Sequence, residues 1–570
     1  MNFESKYTLW LEKASEDPDL IHELTAIKGN EEQISDRFYT ELKFGTGGLR
    51  GIIGAGDNRM NIYTVGKATQ GLANYLLTVS DSPRAAVSFD SRIKSDTFAK
   101  RAAGILAANG IHVYMVRELE PTPVLSYMVR YYNCDAGIMI TASHNPSKYN
   151  GYKCYGPDGC QITDNAAENI TSFIEKTDIF NDVKYIDFDA AIADGKITFV
   201  DEKFFESYFS KILGEQINPG ICEKVGINIL YTPLNGTGNK PVREILKRIG
   251  ATVSVVPEQE NPDGNFPTAP YPNPEIPQAF ECAKKIALQN CPDLILATDP
   301  DCDRVGIAVK KGSDYVLMSG NEVGCMLLNY ILSEKKKKGT LPKNAVAVKT
   351  IVTSNLSRKI AQKYSCNIVE VLTGFKYIGE QIGLLEKENR EDDYILGFEE
   401  SYGYLTGTFV RDKDAVNASM LIVEMAAFYK EQGKSLLDVM SEIYTEFGIY
   451  RHKLINKEFS GEKGMSDMQK LMDRLRNNSP AAIAGIKVIE TADYLLKVKT
   501  NLITGEKTAL TLPTSNVLSF GLENEGNVII RPSGTEPKVK AYLTACGKTT
   551  EFADNIISAL EKEVDILFTV

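Results

Sequence analysis

Asp299, Asp301 and Asp303 stand at every second position in LILATDPDCDR, directly after an apolar run of strand character. Carboxylates spaced this way after a buried strand can converge on one hard cation. The spacing is not that of a calcium-binding helix-loop-helix, because the sixth position holds Arg304 where a glycine is needed and the twelfth holds Lys310 where a glutamate is needed. Three carboxylates with room for further oxygens suit Mg²⁺, which keeps waters and phosphate oxygens in its shell. The competing reading is a solvated aspartate turn that caps a helix.

A second stretch, GIMITASHNPSKYNGYKCYGPDG, runs from apolar residues into Ser143-His144-Asn145-Pro146 and a glycine-rich loop. A serine hydrolase would place its nucleophile in G-x-S-x-G and supply an acid to orient the base; neither feature is present. On an extended backbone, adjacent side chains project in different directions, so Ser143 and His144 are expected not to face each other. A phosphate on Ser143 would instead add about −1.5 to −2 charge and three oxygens able to complete a magnesium shell. The residues by themselves leave open whether Ser143 carries a phosphate or ends a strand in a turn.

Two further stretches have the chemistry of phosphate nests. FGTGGLRG around Arg50 and IRPSGTEPKVK around Arg531 combine glycine amides, hydroxyls and a forked guanidinium. Neither has the spacing of a Walker A loop or of G-x-G-x-x-G, so a nucleotide site is not supported. DDYILGFEESYGY carries Glu399, Glu400 and Ser401 past another apolar strand. Lys153, Lys376 and Lys413 each lie near a glycine-bearing loop, and each taken singly reads as a surface charge.

The elements that must position these loops alternate short β-branched runs (RAAVSF, HVYMV, GIMIT, VGINILY, ATVSVV) with amphipathic helical stretches such as FAKRAAGILAANG. That alternation predicts βαβ units and a mostly parallel sheet, in which ligands bind beyond the carboxyl ends of strands. Residues before FGTGGLRG have helical spacing. Glu260 to Glu275 predicts a long ordered loop, SEKKKKGTLPKN a basic solvated connector, and Gly448 to Phe459 a break before a more α+β tail. The chain has 570 residues and a formal charge of −11, with 43% hydrophobic and 24% charged residues. At about 150 residues per domain this suggests several domains. The negative balance argues against nucleic acid or an anionic membrane as the main partner. The ten cysteines lack C-x-x-C spacing and read as free thiols. No signal peptide and no apolar run of roughly 20 residues is visible, which predicts a cytoplasmic protein.

Taken in order, the motifs resemble the α-D-phosphohexomutase family. TASHNP is similar to its phosphoserine loop, DPDCDR to its magnesium loop, EESYG to its sugar loop and RPSGTEP to its phosphate-binding loop. GTGGLRG, NGYKCY, PNPE and TGFKYIGE fall between them in the family's order. The helical extension before GTGGLRG is like that of the larger phosphoglucomutase/phosphopentomutase branch. One departure is Phe398-Glu399-Glu400, where the family usually has Gly-Glu before the sugar-loop serine.

The resemblance implies an α/β fold: three similar α/β domains with mixed, mostly parallel sheets and a smaller C-terminal α+β domain around a central cleft. The expected boundaries are 1–205 for the extension and phosphoserine domain, 206–325 for the magnesium domain, 326–450 for the sugar domain and 451–570 for the phosphate-binding domain. It further implies interconversion of α-D-glucose 1-phosphate and glucose 6-phosphate through a phosphoserine and a hexose 1,6-bisphosphate. Phosphopentomutase, phosphomannomutase and phosphoserine-dependent phosphatase activities are the alternatives.

The carried-over roles make Ser143, His144, Lys153 and Arg50 catalytic, with Lys153 a proton shuttle. Mg²⁺ falls to Ser143 (as phosphoserine), Asp299, Asp301 and Asp303. Substrate contacts fall to Thr46, Arg304, Thr373, Gly374, Lys376, Glu399, Ser401, Lys413, Arg531, Ser533, Gly534 and Thr535. The implied partners are sugar monophosphates, bound by a monomer or weak homo-oligomer.

Overall fold

The computed structural model describes residues 2–45, 47–459, 464–533 and 538–569. The chain forms two compact units, one of Met1–Ala347 with Gly374–Leu436 and one of Val348–Thr373 with Leu437–Val570.

The first unit opens with helices Phe3–Lys13, Pro18–Ala26 and Glu31–Phe38. Trp10 fastens them: it is 1% exposed, its indole N–H donates to Asp57 Oδ1 at 2.8 Å, and Phe38, Tyr63 and Phe180 meet its ring edge-on. A six-stranded sheet follows, built from β1 (Gly48–Ile52), β2 (Arg84–Phe89), β3 (His112–Met115), β4 (Ala136–Ile140), β5 (Tyr149–Tyr155) and β6 (Ile197–Phe199). Its order is β1-β5-β4-β2-β3-β6, parallel from β4 to β6 and antiparallel where β5 pairs β1 and β4. Every residue of β4 is buried, as its unbroken apolar run requires of a central strand covered on both faces.

A second sheet holds β7 (Asn228–Thr232), β8 (Thr252–Val255), β9 (Leu294–Thr298), β10 (Val305–Lys311) and β11 (Asp314–Met318) in the order β11-β10-β9-β7-β8. β8, β7 and β9 are parallel; β9, β10 and β11 are antiparallel. The aspartates therefore occupy a hairpin turn between β9 and β10, not a crossover loop. Further on, the strand Tyr394–Phe398 pairs antiparallel with Tyr404–Leu405, and the turn between them presents Glu399 and Ser401.

The second unit is dominated by an antiparallel sheet. Its strands Ile449–Glu458 and Lys538–Gly547 pair over their full length, and helices Gly464–Asn477 and Thr550–Leu567 share its core with Leu471, Leu543, Val528 and Leu560. The stretch expected as a break, Gly448 to Phe459, is thus mostly a ten-residue strand. Its apolar pattern is weak because much of it is exposed, which hides a strand from periodicity. Likewise Lys335, Lys336 and Lys337 form the last turn of helix Gly320–Lys337, where cations meet the negative end of the helix dipole; the basic run is helix before it is connector. Among the described residues no helix is long and apolar enough to cross a membrane.

Candidate active site

The order of the first sheet brings three sequence-distant residues together. β5 lies between β1 and β4, so Arg50 pairs with Gly151, and Lys153 sits between Gly48 and Met139. Gly151 permits the close fit: a Cβ there would come within 2.5 Å of the Thr141 carbonyl oxygen. Just beyond β4, Ser143 turns the chain with φ of 50°, in the left-handed region that L-residues enter at a cost. The Thr141 hydroxyl accepts from its amide at 2.8 Å.

That turn corrects the expectation for His144. The backbone at Ser143 is not extended, and Ser143 Oγ lies 3.1 Å from His144 Nδ1. Burial, then the charges of Arg304 and Arg50, hold the imidazole well below its ordinary range. It is therefore neutral at pH 7 and accepts or donates hydrogen bonds without carrying charge. Ser143 is 4% exposed, and its Oγ donates to Asp299 Oδ2 at 2.7 Å. The serine thus lies against the acidic loop, with the histidine to one side.

Asp299, Asp301 and Asp303 are all buried, and one carboxylate oxygen from each falls within 4.8 Å of the others. Asp299 Oδ1 accepts from the amides of Asp303 at 3.1 Å and Arg304 at 3.0 Å, which curls the hairpin turn inward. Asp301 Oδ2 accepts from Thr122 Oγ1 and from Lys153 Nζ, each at 2.8 Å. Asp303 Oδ2 accepts from Lys153 at 3.2 Å and pairs with Lys413 at 3.1 Å. Asp301 Oδ1 and Asp303 Oδ1 are buried and accept no hydrogen bond, Asp303 Oδ1 having only the Arg304 Nε charge 3.7 Å away. Buried carboxylate oxygens left bare are costly, and a cation relieves that cost. Three clustered carboxylates, two of which keep an oxygen that accepts no hydrogen bond, fit a divalent metal of the magnesium class.

The electrostatics follow from this crowding. Burial and the neighbouring Asp301 and Asp303 charges push the Asp299 carboxyl well up. Burial alone would raise Asp301 too, but Lys153, with hydrogen bonds from Asp299, Lys153 and Thr122, carries it below the usual range. Burial works against the Lys153 ammonium, yet Asp301 and Asp303 leave it raised. Lys413 is raised in the same way by Asp303 and Asp412. Neither is the surface charge that its single-residue reading suggests, since their side chains are only 12% and 11% exposed.

The remaining expected residues divide by location. Arg304 is half-buried in ion pairs with Glu275 and, at 3.7 Å, Asp303. Arg50 is exposed on β1, close enough for its charge to act on His144 and Arg92. Glu399 is buried and accepts from the Gly374 amide at 2.9 Å. Burial and the adjacent Glu400 raise its carboxyl to about 7. Ser401 sits two residues on in the same turn. Lys376 pairs with Asp164 at 2.8 Å. Thr373, Arg531 and Ser533 belong to the second unit, the last two at the end of strand Asn527–Pro532. Thr46, Gly534 and Thr535 lie outside the described residues.

Several contributors escape a motif-based reading. Arg92 grips the Ser143 loop from behind. Thr122 bonds the aspartate loop twice, through its hydroxyl and through an amide that donates to the Asp301 carbonyl at 2.9 Å. Asp412 accepts from Tyr155 at 2.7 Å and Lys413 at 3.1 Å, anchoring that lysine. Arg92 was open to the rule that found the others, because it follows the apolar strand β2 directly. Thr122 and Asp412 carry no such local signal.

Sequence models of phosphoglucomutase/phosphomannomutase α/β/α domains I, II and III match residues 41–179, 206–312 and 319–447. Among curated proteins, a phosphoglucomutase of Staphylococcus haemolyticus is 38% identical over 511 residues, covering 89% of this chain and 91% of the relative. One of Staphylococcus epidermidis is 36% identical, over 95% and 98%. Among solved structures, the open form of the phosphoprotein parafusin, a phosphoglucomutase of Paramecium, aligns with a TM-score of 0.69 at 18% identity, covering 93% of this chain and 95% of its own. A phosphoglucomutase/phosphomannomutase family protein of Burkholderia thailandensis aligns at 0.67 and 16%, over 92% and 97%. At those identities the structures speak for the fold alone, three α/β domains with mixed sheets and a β-rich C-terminal domain. With all three domain models met in chain order and relatives aligned over nearly their whole length, this chain belongs to the phosphoglucomutase/phosphomannomutase family, the α-D-phosphohexomutases.

Proposed function

We propose that this chain is a phosphoglucomutase that interconverts α-D-glucose 1-phosphate and glucose 6-phosphate, with Ser143 as the phosphoryl carrier and a glucose 1,6-bisphosphate as the intermediate. The observation that carries the reading is the buried Ser143 hydroxyl, 2.7 Å from Asp299 in a group of three carboxylates with two oxygens that accept no hydrogen bond. Family membership and the names of its relatives support the same activity. The substrate would be a dissolved sugar monophosphate of the cytoplasm.

In the forward step, the P–O bond to Ser143 Oγ breaks as one forms to a sugar hydroxyl oxygen. The hydroxyl's proton leaves the sugar, and Ser143 Oγ recovers one. The bisphosphate then turns over and returns its other phosphoryl group to Ser143. Asp299, Asp301 and Asp303, with an oxygen of the seryl phosphate, would hold Mg²⁺, which when bound supplies positive charge against the charge that develops on the transferring group.

Lys153, charged and held between Asp301 and Asp303, would pass a proton near the transfer site. His144, neutral, orients the serine oxygen. Arg50 adds positive charge on the same side. We assign sugar hydroxyl contacts to Glu399 and Ser401, with Thr373, Gly374, Lys376, Arg304 and Lys413 lining the sugar site and Thr46 beside the transfer loop. Arg531, Ser533, Gly534 and Thr535 would take the phosphate that is not reacting, since a forked guanidinium with adjacent hydroxyls and amides binds phosphate without needing to react with it.

The test is an isomerisation assay on glucose, mannose and ribose 1-phosphates in parallel, with free phosphate followed in the same cuvettes. Glucose 1-phosphate should be turned over fastest, with negligible phosphate release after priming by hexose 1,6-bisphosphate. Release in step with turnover would make the enzyme a phosphatase. Faster isomerisation of mannose or ribose phosphate would reassign the substrate.

A further inference from the structure

Arg92 takes no part in the chemistry above, yet its side chain is completely buried behind the Ser143 loop. Its Nη1 donates to the carbonyls of Pro146 at 3.0 Å and Tyr149 at 3.1 Å. Its Nη2 donates to the carbonyls of Ser143 and Asn145. One guanidinium thus closes carbonyls from both arms of a single loop. Around it, Asp90 sits 3.4 Å from Nε, and Asp90 is itself held by Ser95 Oγ at 2.7 Å and by the Arg92 amide at 2.9 Å. The Phe266 ring, 5.1 Å from the guanidinium carbon, covers the remaining face.

These contacts bear on a residue whose backbone needs support. Ser143 has a φ of 50°, and non-glycine residues stay in that region only where their surroundings over-determine it. Two anchors do so here: Thr141 Oγ1 takes the Ser143 amide, and Arg92 takes the Ser143 carbonyl. With both ends of the residue fixed, Oγ is aimed at Asp299.

We propose that Arg92 is the positioning residue of the phosphoryl carrier, fixing the left-handed turn that aims Ser143 Oγ into the metal site while touching neither substrate nor the reacting atoms. The proposal rests on the reading of Ser143 as carrier. A role through charge alone makes a different prediction. Lysine in place of Arg92 keeps the charge and the pairing with Asp90. Its single Nζ cannot serve two separated pairs of carbonyls in the plane of a fork.

The experiment compares wild type, Arg92→Lys, Arg92→Met and Thr141→Val, each primed with glucose 1,6-bisphosphate. It measures kcat and KM for glucose 1-phosphate, together with the melting temperature and the mass of the Ser143 peptide. Both Arg92 variants should lose about 100-fold in kcat, the scale of an ångström-level misplacement, with KM within about twofold of wild type. Thr141→Val, which removes the other anchor and no charge, should show the same kcat-only loss in milder form, roughly tenfold by the same reasoning.

Wild-type kcat in Arg92→Lys overturns the proposal, as does a loss confined to KM. Should neither Arg92 variant fold, Thr141→Val decides: unchanged kcat there overturns the anchoring of Ser143. Absence of phosphate on wild-type Ser143 is a separate failure, of the carrier reading itself, and shows in the wild-type mass before any variant is compared.

Discussion

Asp301 has two jobs whose consequences can be separated. It holds Lys153 and Thr122 with one oxygen and leaves the other bare toward its neighbours. Asp301→Asn removes one carboxylate charge from the group, while Lys153 retains Asp303 at 3.2 Å. The fold should survive, because Lys153 keeps its pairing with Asp303 and the amide oxygen of asparagine can still accept from Thr122 Oγ1. We expect kcat to fall by at least about 100-fold, the scale of losing a key charge-stabilising group. Thermal melts with and without Mg²⁺ give the sharper readout. Wild type should gain about 2.7 kcal/mol at a hundred times the Kd of the metal, and Asp301→Asn should gain almost nothing. Equal stabilisation of both proteins would remove Asp301 from the metal site.

The Ser143–His144 contact sets up a comparison at the same scale. If the histidine activates the serine as a base, His144→Ala should be as inactive as Ser143→Ala. If it orients a phosphoryl carrier, His144→Ala should keep measurable turnover, losing less than the roughly 100-fold typical of a general base. Only Ser143→Ala should then lack the phosphopeptide. The neutral imidazole favours orientation. Equal inactivity of the two variants would restore the nucleophile-and-base reading.

At the scale of elements, His452 tests how the C-terminal sheet is held. It lies on strand Ile449–Glu458, with Nδ1 3.2 Å from Thr544 Oγ1 on the paired strand and Nε2 2.9 Å from Ser354 Oγ. Burial, then the charges of Lys349 and Arg451, lower its pKa to about 3. A histidine depressed in the fold binds fewer protons than the unfolded chain, so its contribution is complete above the unfolded value of about 6.5. That contribution is lost as pH falls from there toward 3. The slope for one fully linked proton is about 1.4 kcal/mol per pH unit, an upper figure for a group that is only partly buried. His452→Gln keeps hydrogen-bonding atoms and cannot titrate, so its stability should fall less between pH 6.5 and 4. Parallel denaturation curves for the two proteins across that range would contradict the assignment. The strand itself had no clear apolar alternation because much of it is exposed, whereas β2, β4 and β9 were legible as strands because their buried faces left unbroken apolar runs.

For the whole molecule, the partition into two compact units makes these effects separable. The three aspartates belong to one unit and His452 to the other. Calorimetry should resolve two transitions, with Mg²⁺ raising one and acidification below pH 6.5 lowering the other. A single transition moved by both would show that the units unfold as one. The sequence by itself determined which loops carry chemistry, since a carboxylate triad, a serine-histidine turn and glycine-arginine nests each follow an apolar strand and each needs only local spacing to be recognised. It also determined the α/β class, through the alternation of short strands with amphipathic helices. Tertiary structure alone decided that Ser143 faces Asp299, because that carboxylate and the Arg92 guanidinium that takes the Ser143 carbonyl both come from distant parts of the chain. It alone turned Lys153 and Lys413 from exposed charges into largely covered partners of Asp301 and Asp303. A lysine's burial depends on what the fold stacks over it, and Asp301 and Asp303 are separated from these two by more than a hundred residues of chain.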